Sequence, residues 1–373
     1  MSVVQPVSDS TPLWSDAVFA SAIPSTRLLG VLPGEGIGTE VVSAALSVLD
    51  ALDSVRPLGI RRVTGGPIGL AAEPIQGNLT PPTIDFCRSL FQSGGALLCG
   101  PGGGRFVYDL RQRFDLFSKI VPLKPSAILR PNLADVDILV VRDNAAGIYQ
   151  GQGTTRTDAS GHLVAEHTFA YSEPQVERLL RVAARLALQR RGHLHVVIKD
   201  AGVPTISNLW KSVTQVIAAQ FNVKYSFLNA DYAAYQLIQD PRELDVLVTP
   251  NMIGDILADL GAVLLGSRGL SFSGNFSPSG SAVYQTGHGS AYDVAGTDQG
   301  NPVAQILSLA MLLRQSFRLS EEADLIERAI DLVWQQGFRT EDLAFDGCQN
   351  VGTRQLAARI ADTVADLARK NEP

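Results

Sequence analysis

The chain has 373 residues, of which 45% are hydrophobic and 18% charged, and its 37 acidic against 31 basic side chains leave a formal charge of -6. That length supports two domains of ordinary size with a substantial core, while the acidic balance and the lack of a long basic run exclude a nucleic-acid track. No apolar run approaches the roughly 20 residues of a membrane span, and Cys87, Cys99 and Cys348 lack metal-ribbon or CxxC spacing, which fits core or incidental thiols in a reduced compartment.

Residues 1–26 are rich in Ser, Thr and Pro, with Asp9 and Asp16 but neither a basic n-region nor an apolar core. They read as a loose N-terminal arm rather than a secretory signal, and the chain as a soluble, cytoplasmic protein. Leu28 to Leu32 is the first buried strand. Gly34-Glu35-Gly36-Ile37-Gly38 follows it and opens a helix with Val41, Val42, Ala45, Leu46 and Leu49 on one stripe. The G-x-G-x-G spacing, with no acidic residue ending a following strand, separates this turn from the dinucleotide fingerprint. It serves equally as a tight turn or as a close approach to a cofactor.

Further apolar runs at 96–99, 136–141, 195–198 and 246–248 read as strands. Ser172 with Gln175 three residues on marks a helix start ahead of Val176, Leu179, Leu180 and Ala183. Leu356, Ile360, Val364 and Leu367 form the stripe of a last helix. Strands alternating with helices give a layered α/β protein with a partly parallel sheet.

Asn251 to Asp259 follows the strand near Val248 and places Asp255 and Asp259 four residues apart on one helix face. Their mutual repulsion would reverse around a hard divalent cation such as Mg²⁺ or Mn²⁺. Spacing alone describes a pair of solvated acids more often than a metal site.

Several long stretches in order then carry a resemblance: GEGIGTEV at 34–41, LRQRFDLF at 110–117, VVRDNAAGIYQG at 140–151, DYAAYQLI at 231–238, VTPNMIGDILADLGA at 248–262 and HGSAYDVAGTDQGNP at 288–302. From about residue 27 onward the chain resembles the β-decarboxylating dehydrogenases, which comprise the isopropylmalate, isocitrate, homoisocitrate and tartrate or D-malate enzymes. The resemblance implies two α/β domains around a central cleft, and not a Rossmann fold. Domain one would hold residues 27–116 and 267–373, and domain two residues 117–266.

It further implies NAD-dependent oxidation of a 2-hydroxy acid with loss of the carboxylate on the neighbouring carbon. The working unit would be a homodimer with shared sites. Asp255 and Asp259 match metal ligands of one subunit, and Asp231 a ligand supplied across the dimer. Lys199, also supplied across the dimer, matches the lysine that assists proton removal from the substrate hydroxyl, and Tyr149 the tyrosine that protonates the enol. Arg111 and Arg142 match arginines whose planar forks grip the malate carboxylates. Arg105 and Tyr108 fall where the family reads the C3 substituent and point to a polar or anionic group. Ile37, His288, Gly289, Asp293 and Asn301 match positions around the adenosine half of the cofactor. Asp293, followed by Val294, favours NAD, because a carboxylate there accepts from the ribose hydroxyls and repels a 2′-phosphate.

The chain also departs from the pattern. Val121 stands where a third clamp arginine is expected, and Lys119 where an asparagine is usual. Ala201, Gln285, Thr286 and Thr297 replace an asparagine, a Glu-Pro pair and a lysine. These departures leave open a catalytically silent regulatory subunit, and a dehydrogenase that oxidises without decarboxylating. Retention of Tyr149, Lys199, Asp231, Asp255 and Asp259 favours a working decarboxylase on an altered malate-like substrate.

Overall fold

The computed structural model describes residues 13–18, 27–72 and 78–370. Ten strands form one sheet: β1 (Arg27–Leu32), β2 (Ile60–Thr64), β3 (Ala96–Cys99), β4 (Ser118–Leu123), β5 (Ile138–Asp143), β8 (His193–Ile198), β9 (Lys224–Asn229), β10 (Val246–Thr249), β11 (Phe272–Phe276) and β12 (Ala282–Thr286). Strands β6 (Gln152–Thr157) and β7 (Leu163–Thr168) make a separate, exposed antiparallel hairpin. The helices are α1 (Ser15–Val18), α2 (Gly38–Val55), α3 (Pro81–Gln92), α4 (Phe106–Arg113), α5 (Glu173–Leu188), α6 (Pro204–Phe221), α7 (Ala230–Gln239), α8 (Asn251–Leu265), α9 (Val303–Gln315), α10 (Ser320–Gln335) and α11 (Thr353–Lys370).

The strand order is β2-β1-β3-β12-β11-β4-β5-β10-β8-β9. Pairing is parallel within β2-β1-β3-β12 and within β5-β10-β8-β9, and antiparallel at β12-β11, β11-β4 and β4-β5. The two parallel blocks therefore run in opposite senses, which a doubly wound Rossmann sheet does not do. Strands drawn from 27–116 and 267–373 occupy one side of the β11-β4 pairing, and strands drawn from 117–266 the other.

Local sequence explains the elements that matter for the site. Helix α5 begins at a reciprocal capping box between Ser172 and Gln175, and buries Val176, Leu179, Leu180, Ala183 and Ala187. Every residue of β5 and β10 is buried, as strands covered by α5 and α8 require. Cys87 and Cys99 are buried core residues, and burial pushes both thiols up, so neither is poised to react. Among the described residues no helix is long and apolar enough to cross a membrane.

Residues 13–18 fall within the arm expected to be loose, yet they are seated. Ser15 and Ala17 are buried, the Ser15 amide and hydroxyl donate to Gln315 Oε1 and O at 3.1 and 2.9 Å, and Arg185 of α5 donates to the Ala17 carbonyl at 2.9 Å. The local composition missed this because the partners lie in distant helices. Residues 1–12 and 19–26 of the expected arm lie outside the described residues.

Candidate active site

The site is assembled where β4 and β5 meet the start of α8. Lys119 and Arg142 are register partners on β4 and β5, so their side chains leave the sheet on the same face. Asp255 lies in the first part of α8 above them. Arg142, only 1% exposed, donates to Asp255 Oδ1 and, at 2.7 Å, to Asn251 Oδ1. The helix can sit this close because residue 254 is glycine: a Cβ there would come 2.0 Å from Thr249 Oγ1 and 2.8 Å from Arg142 Cγ.

A ladder of cations and rings joins α4 to this floor. The Arg105 and Arg111 guanidiniums lie 5.5 and 5.8 Å from the Tyr108 ring centroid, the Tyr108 ring meets Tyr149 edge-on at 5.2 Å, and Arg142 lies 5.6 Å from the Tyr149 ring. Arg105 also donates to the Tyr149 carbonyl at 3.3 Å. Tyr149 donates its hydroxyl to Asp255 Oδ2 at 2.9 Å. Arg105, Tyr108, Arg111, Lys119, Arg142, Tyr149 and Asp255 thus converge, although they come from five separate stretches of chain.

Charge in this cluster is unbalanced. Arg111 and Lys119 are buried, and among the described residues neither forms an ion pair. Burial, with Arg142 nearby, pulls the Arg111 guanidinium down to about 9, and burial together with Arg111 and Arg142 holds the Lys119 ammonium well below its usual range. Burial alone would raise the Asp255 carboxyl, but Arg142, Lys119, the Tyr149 hydroxyl and Arg111 together leave it below the ordinary value. Burial and the neighbouring Asp255 raise the Tyr149 phenol to about 12, so it keeps its proton at neutral pH. Val121 is packed in the core opposite Val140 and presents no cation.

The remaining expected site residues make pairs of their own. Asp259, one turn along α8, pairs with Arg268 at 2.7 Å. Lys199 follows β8 and binds Asp231 of α7 at 2.8 Å. Lys199 borders an apolar cavity of about 320 Å³ lined by Met252, Ile253 and Ile256 of α8 and by Ala230 and Ala234 of α7. Among the described residues no three His, Cys, Asp or Glu side chains come close enough to hold a metal ion. Asp255 and Asp259 offer hard oxygen donors one helical turn apart, a donor type that suits Mg²⁺ or Mn²⁺, ions that complete their shell with water and substrate oxygens.

On the other block, the loops after β1, β3 and β12 gather. Ile37 donates its amide to the Ser290 carbonyl at 2.8 Å, and its side chain lies against Gly300. Asn301 donates to Asp342 at 3.0 Å and accepts from the Val303 amide at 3.0 Å. His288 holds the neighbouring Gly289 carbonyl at 3.0 Å, and burial lowers its imidazole from the usual value. Gly289 and Asp293 are exposed on a loop that Glu40 grips through the Gly296 and Asp298 amides.

Two contributors escaped sequence reading. Asn251 orients Arg142 and was legible only as part of the Asn251 to Asp259 stretch. Glu35, between two glycines of the turn after β1, is buried and accepts backbone hydrogen bonds from Gly103 and Ala71. Its isolation between glycines was the available signal.

Residues 28–360 match the isocitrate/isopropylmalate dehydrogenase family. The 3-isopropylmalate dehydrogenase of Synechococcus sp. (strain JA-3-3Ab) is 37% identical over 372 residues, covering 94% of this chain and 96% of the relative. That of Geobacillus kaustophilus (strain HTA426) is 38% identical over 364 residues, covering 91% and 95%. The crystal structure of isocitrate dehydrogenase from Methylococcus capsulatus matches with a TM-score of 0.83 at 30% identity, covering 91% of this chain and all of that one. Sheet, site and relatives together mark an oxidoreductase of the decarboxylating dehydrogenase class. The chain belongs to the isocitrate/isopropylmalate dehydrogenase family.

Proposed function

We propose that the protein oxidatively decarboxylates a 3-substituted malate-like 2-hydroxy acid, using NAD and Mg²⁺ or Mn²⁺, in sites shared between two copies of the chain. The observation that carries the substrate class is the gathering of buried cationic side chains: Arg111, Lys119 and Arg142 lie together, and among the described residues Asp255 alone forms an ion pair with any of them. Buried charge of one sign is costly unless it is paired, so this floor suits a ligand with more than one carboxylate. A silent subunit gains no support, because Tyr149 is held with its proton on the same carboxylate that would bind the metal.

When bound, a divalent ion would acidify the substrate hydroxyl and polarise the resulting ketone, and NAD would accept the hydride. Arg111, Lys119 and Arg142 orient the malate carboxylates. Tyr149 stands ready to donate its proton to the carbon that loses carbon dioxide. Lys199 supplies the base for the hydroxyl proton, and because it sits with Asp231 beside α8's outer face, it serves the neighbouring copy's cleft.

That outer face supports the pairing. Tyr232, Tyr235 and Ile238 of α7 and Met252, Ile256 and Val263 of α8 are all exposed, an apolar surface that a second copy would cover. Asp293 supports NAD over NADP through charge repulsion. Arg105 and Tyr108 support a polar C3 substituent.

Subunit complementation tests the shared site. Asp231→Asn and Asp255→Asn should each be inactive with 3-substituted malates, NAD and Mn²⁺, yet unfolding and refolding them together should restore about a quarter of wild-type turnover, since half the random dimers would carry one intact site. Failure of the mixture to regain activity, with dimers confirmed by sedimentation, would refute sharing. Absence of NAD reduction by the wild type with any such substrate would refute the reaction itself.

A further inference from the structure

The buried carboxylate of Glu35 lies outside the chemistry above, yet it touches both loops that the ligands would use. Glu35 is 6% exposed and accepts from the amides of Gly103 and Ala71, the latter at 2.9 Å, with the Leu70 amide and the Tyr292 hydroxyl completing its bonds. The backbone closes tightly on it. A Cβ at position 69 would come 2.3 Å from Glu35 Oε1, and one at position 103 would come 2.6 Å from the same atom.

Each partner belongs to a different part of the cleft. Gly103 leads directly into Arg105, Tyr108 and Arg111. Tyr292 precedes Asp293 on the loop after β12, and the same turn that carries Glu35 also binds that loop through the Ile37 amide and the Ser290 carbonyl. We propose that Glu35 is a positioning residue that couples the nucleotide loop to the loop bearing Arg105, Tyr108 and Arg111. This rests on the cofactor and substrate assignments made above.

The physical reason is shared hydrogen bonding. A carboxylate with four donors is satisfied only while all four keep their places, so ordering Tyr292 restrains the amides of Gly103 and Ala71 through the same two oxygens. A plain structural staple would restrain these amides equally with or without a ligand. A coupling residue makes their restraint depend on occupancy of the neighbouring loop.

Amide hydrogen exchange on the full chain separates the two. Addition of NAD alone should slow exchange in residues 288–298, and also, roughly tenfold, in residues 70–72 and 103–113. In Tyr292→Phe, which removes one donor from an exposed side chain, the NAD dissociation constant should stay within about threefold while most of the protection at 103–113 disappears. In Glu35→Gln the remote protection should be lost altogether, with faster exchange at Gly103 even without NAD. If Glu35→Gln fails to fold, Tyr292→Phe decides the matter alone. Protection confined to 288–298 in the wild type, or full remote protection in Tyr292→Phe, would overturn the coupling while leaving the cofactor assignment standing. Failure of NAD to bind the wild type at all would overturn the cofactor assignment, and the coupling with it.

Discussion

Replacing Lys119 with methionine should move stability and function in opposite directions. The side chain is 7% exposed, lies among Arg111 and Arg142, and has no ion pair among the described residues. Burial first, then these two guanidiniums, depress its ammonium well below 10.5, and the opposing pull of Asp255 and Asp259 is smaller. A lysine depressed in the folded state destabilises the fold at every pH below its folded value, and the penalty fades as pH rises from there toward 10.5. Methionine keeps the length of the stem and removes the charge. The metal-free variant should therefore be more stable at neutral pH by about 1 to 3 kcal/mol, an upward shift of a few degrees in Tm, and the difference should shrink in alkaline buffer. With a 3-substituted malate, the same variant loses a charge-assisted bond to a carboxylate. At about 1.5 to 3 kcal/mol, that lowers kcat/KM roughly 10- to 100-fold. Scanning calorimetry across pH and NADH absorbance measure the two effects. A variant less stable than the wild type at neutral pH, with unchanged kcat/KM, would show that Lys119 is not an unpaired cation awaiting substrate.

Other substitutions probe the rest of the site. Asp255→Asn should abolish turnover and lower Tm, because Arg142 remains buried with neutral amide acceptors in place of its paired carboxylate; full activity in strong chelator would show that the carboxylate has no metal to hold. Asp293→Lys with Val294→Tyr should shift the ratio of kcat/KM values toward NADP, and a wild type that already prefers NADP would refute the role given to Asp293. Ile256, 58% exposed on the apolar face of α8, should give an inactive monomer by sedimentation when changed to Asp, and a fully active monomer would contradict shared sites. His195 is held neutral, with burial and then the stacked His193 bringing it down to about 4. Its contribution is present above the ordinary value of 6.5 and lost as pH falls from there toward 4, so His195→Phe should flatten acid unfolding over that window in a Tm-against-pH series.

What local pattern could determine was determined from sequence. The apolar runs at 96–99 and 246–248 are strands β3 and β10, and the Ser172-Gln175 box starts α5 as read, because capping and burial periodicity act over a few neighbouring residues. Motifs long enough to carry family resemblance identified most of the cluster, including Tyr149, Arg142 and Asp255. Strand β4 was illegible: Ser118-Lys119-Ile120-Val121-Pro122-Leu123 is broken by a lysine and a proline, and its central place comes from pairing with β5 and β11, far away in sequence. That pairing, not any local signal, buries Lys119 beside Arg142. The seat of residues 13–18 against Gln315 and Arg185 was hidden for the same reason. Tertiary structure alone also revealed that Glu35 gathers donors from residues 70, 71, 103 and 292, and that Lys199 pairs with Asp231. Side-chain type announces what a group can do; only the fold decides which groups share a space, because hydrogen bonds and buried charges act over a few ångströms whatever their separation along the chain.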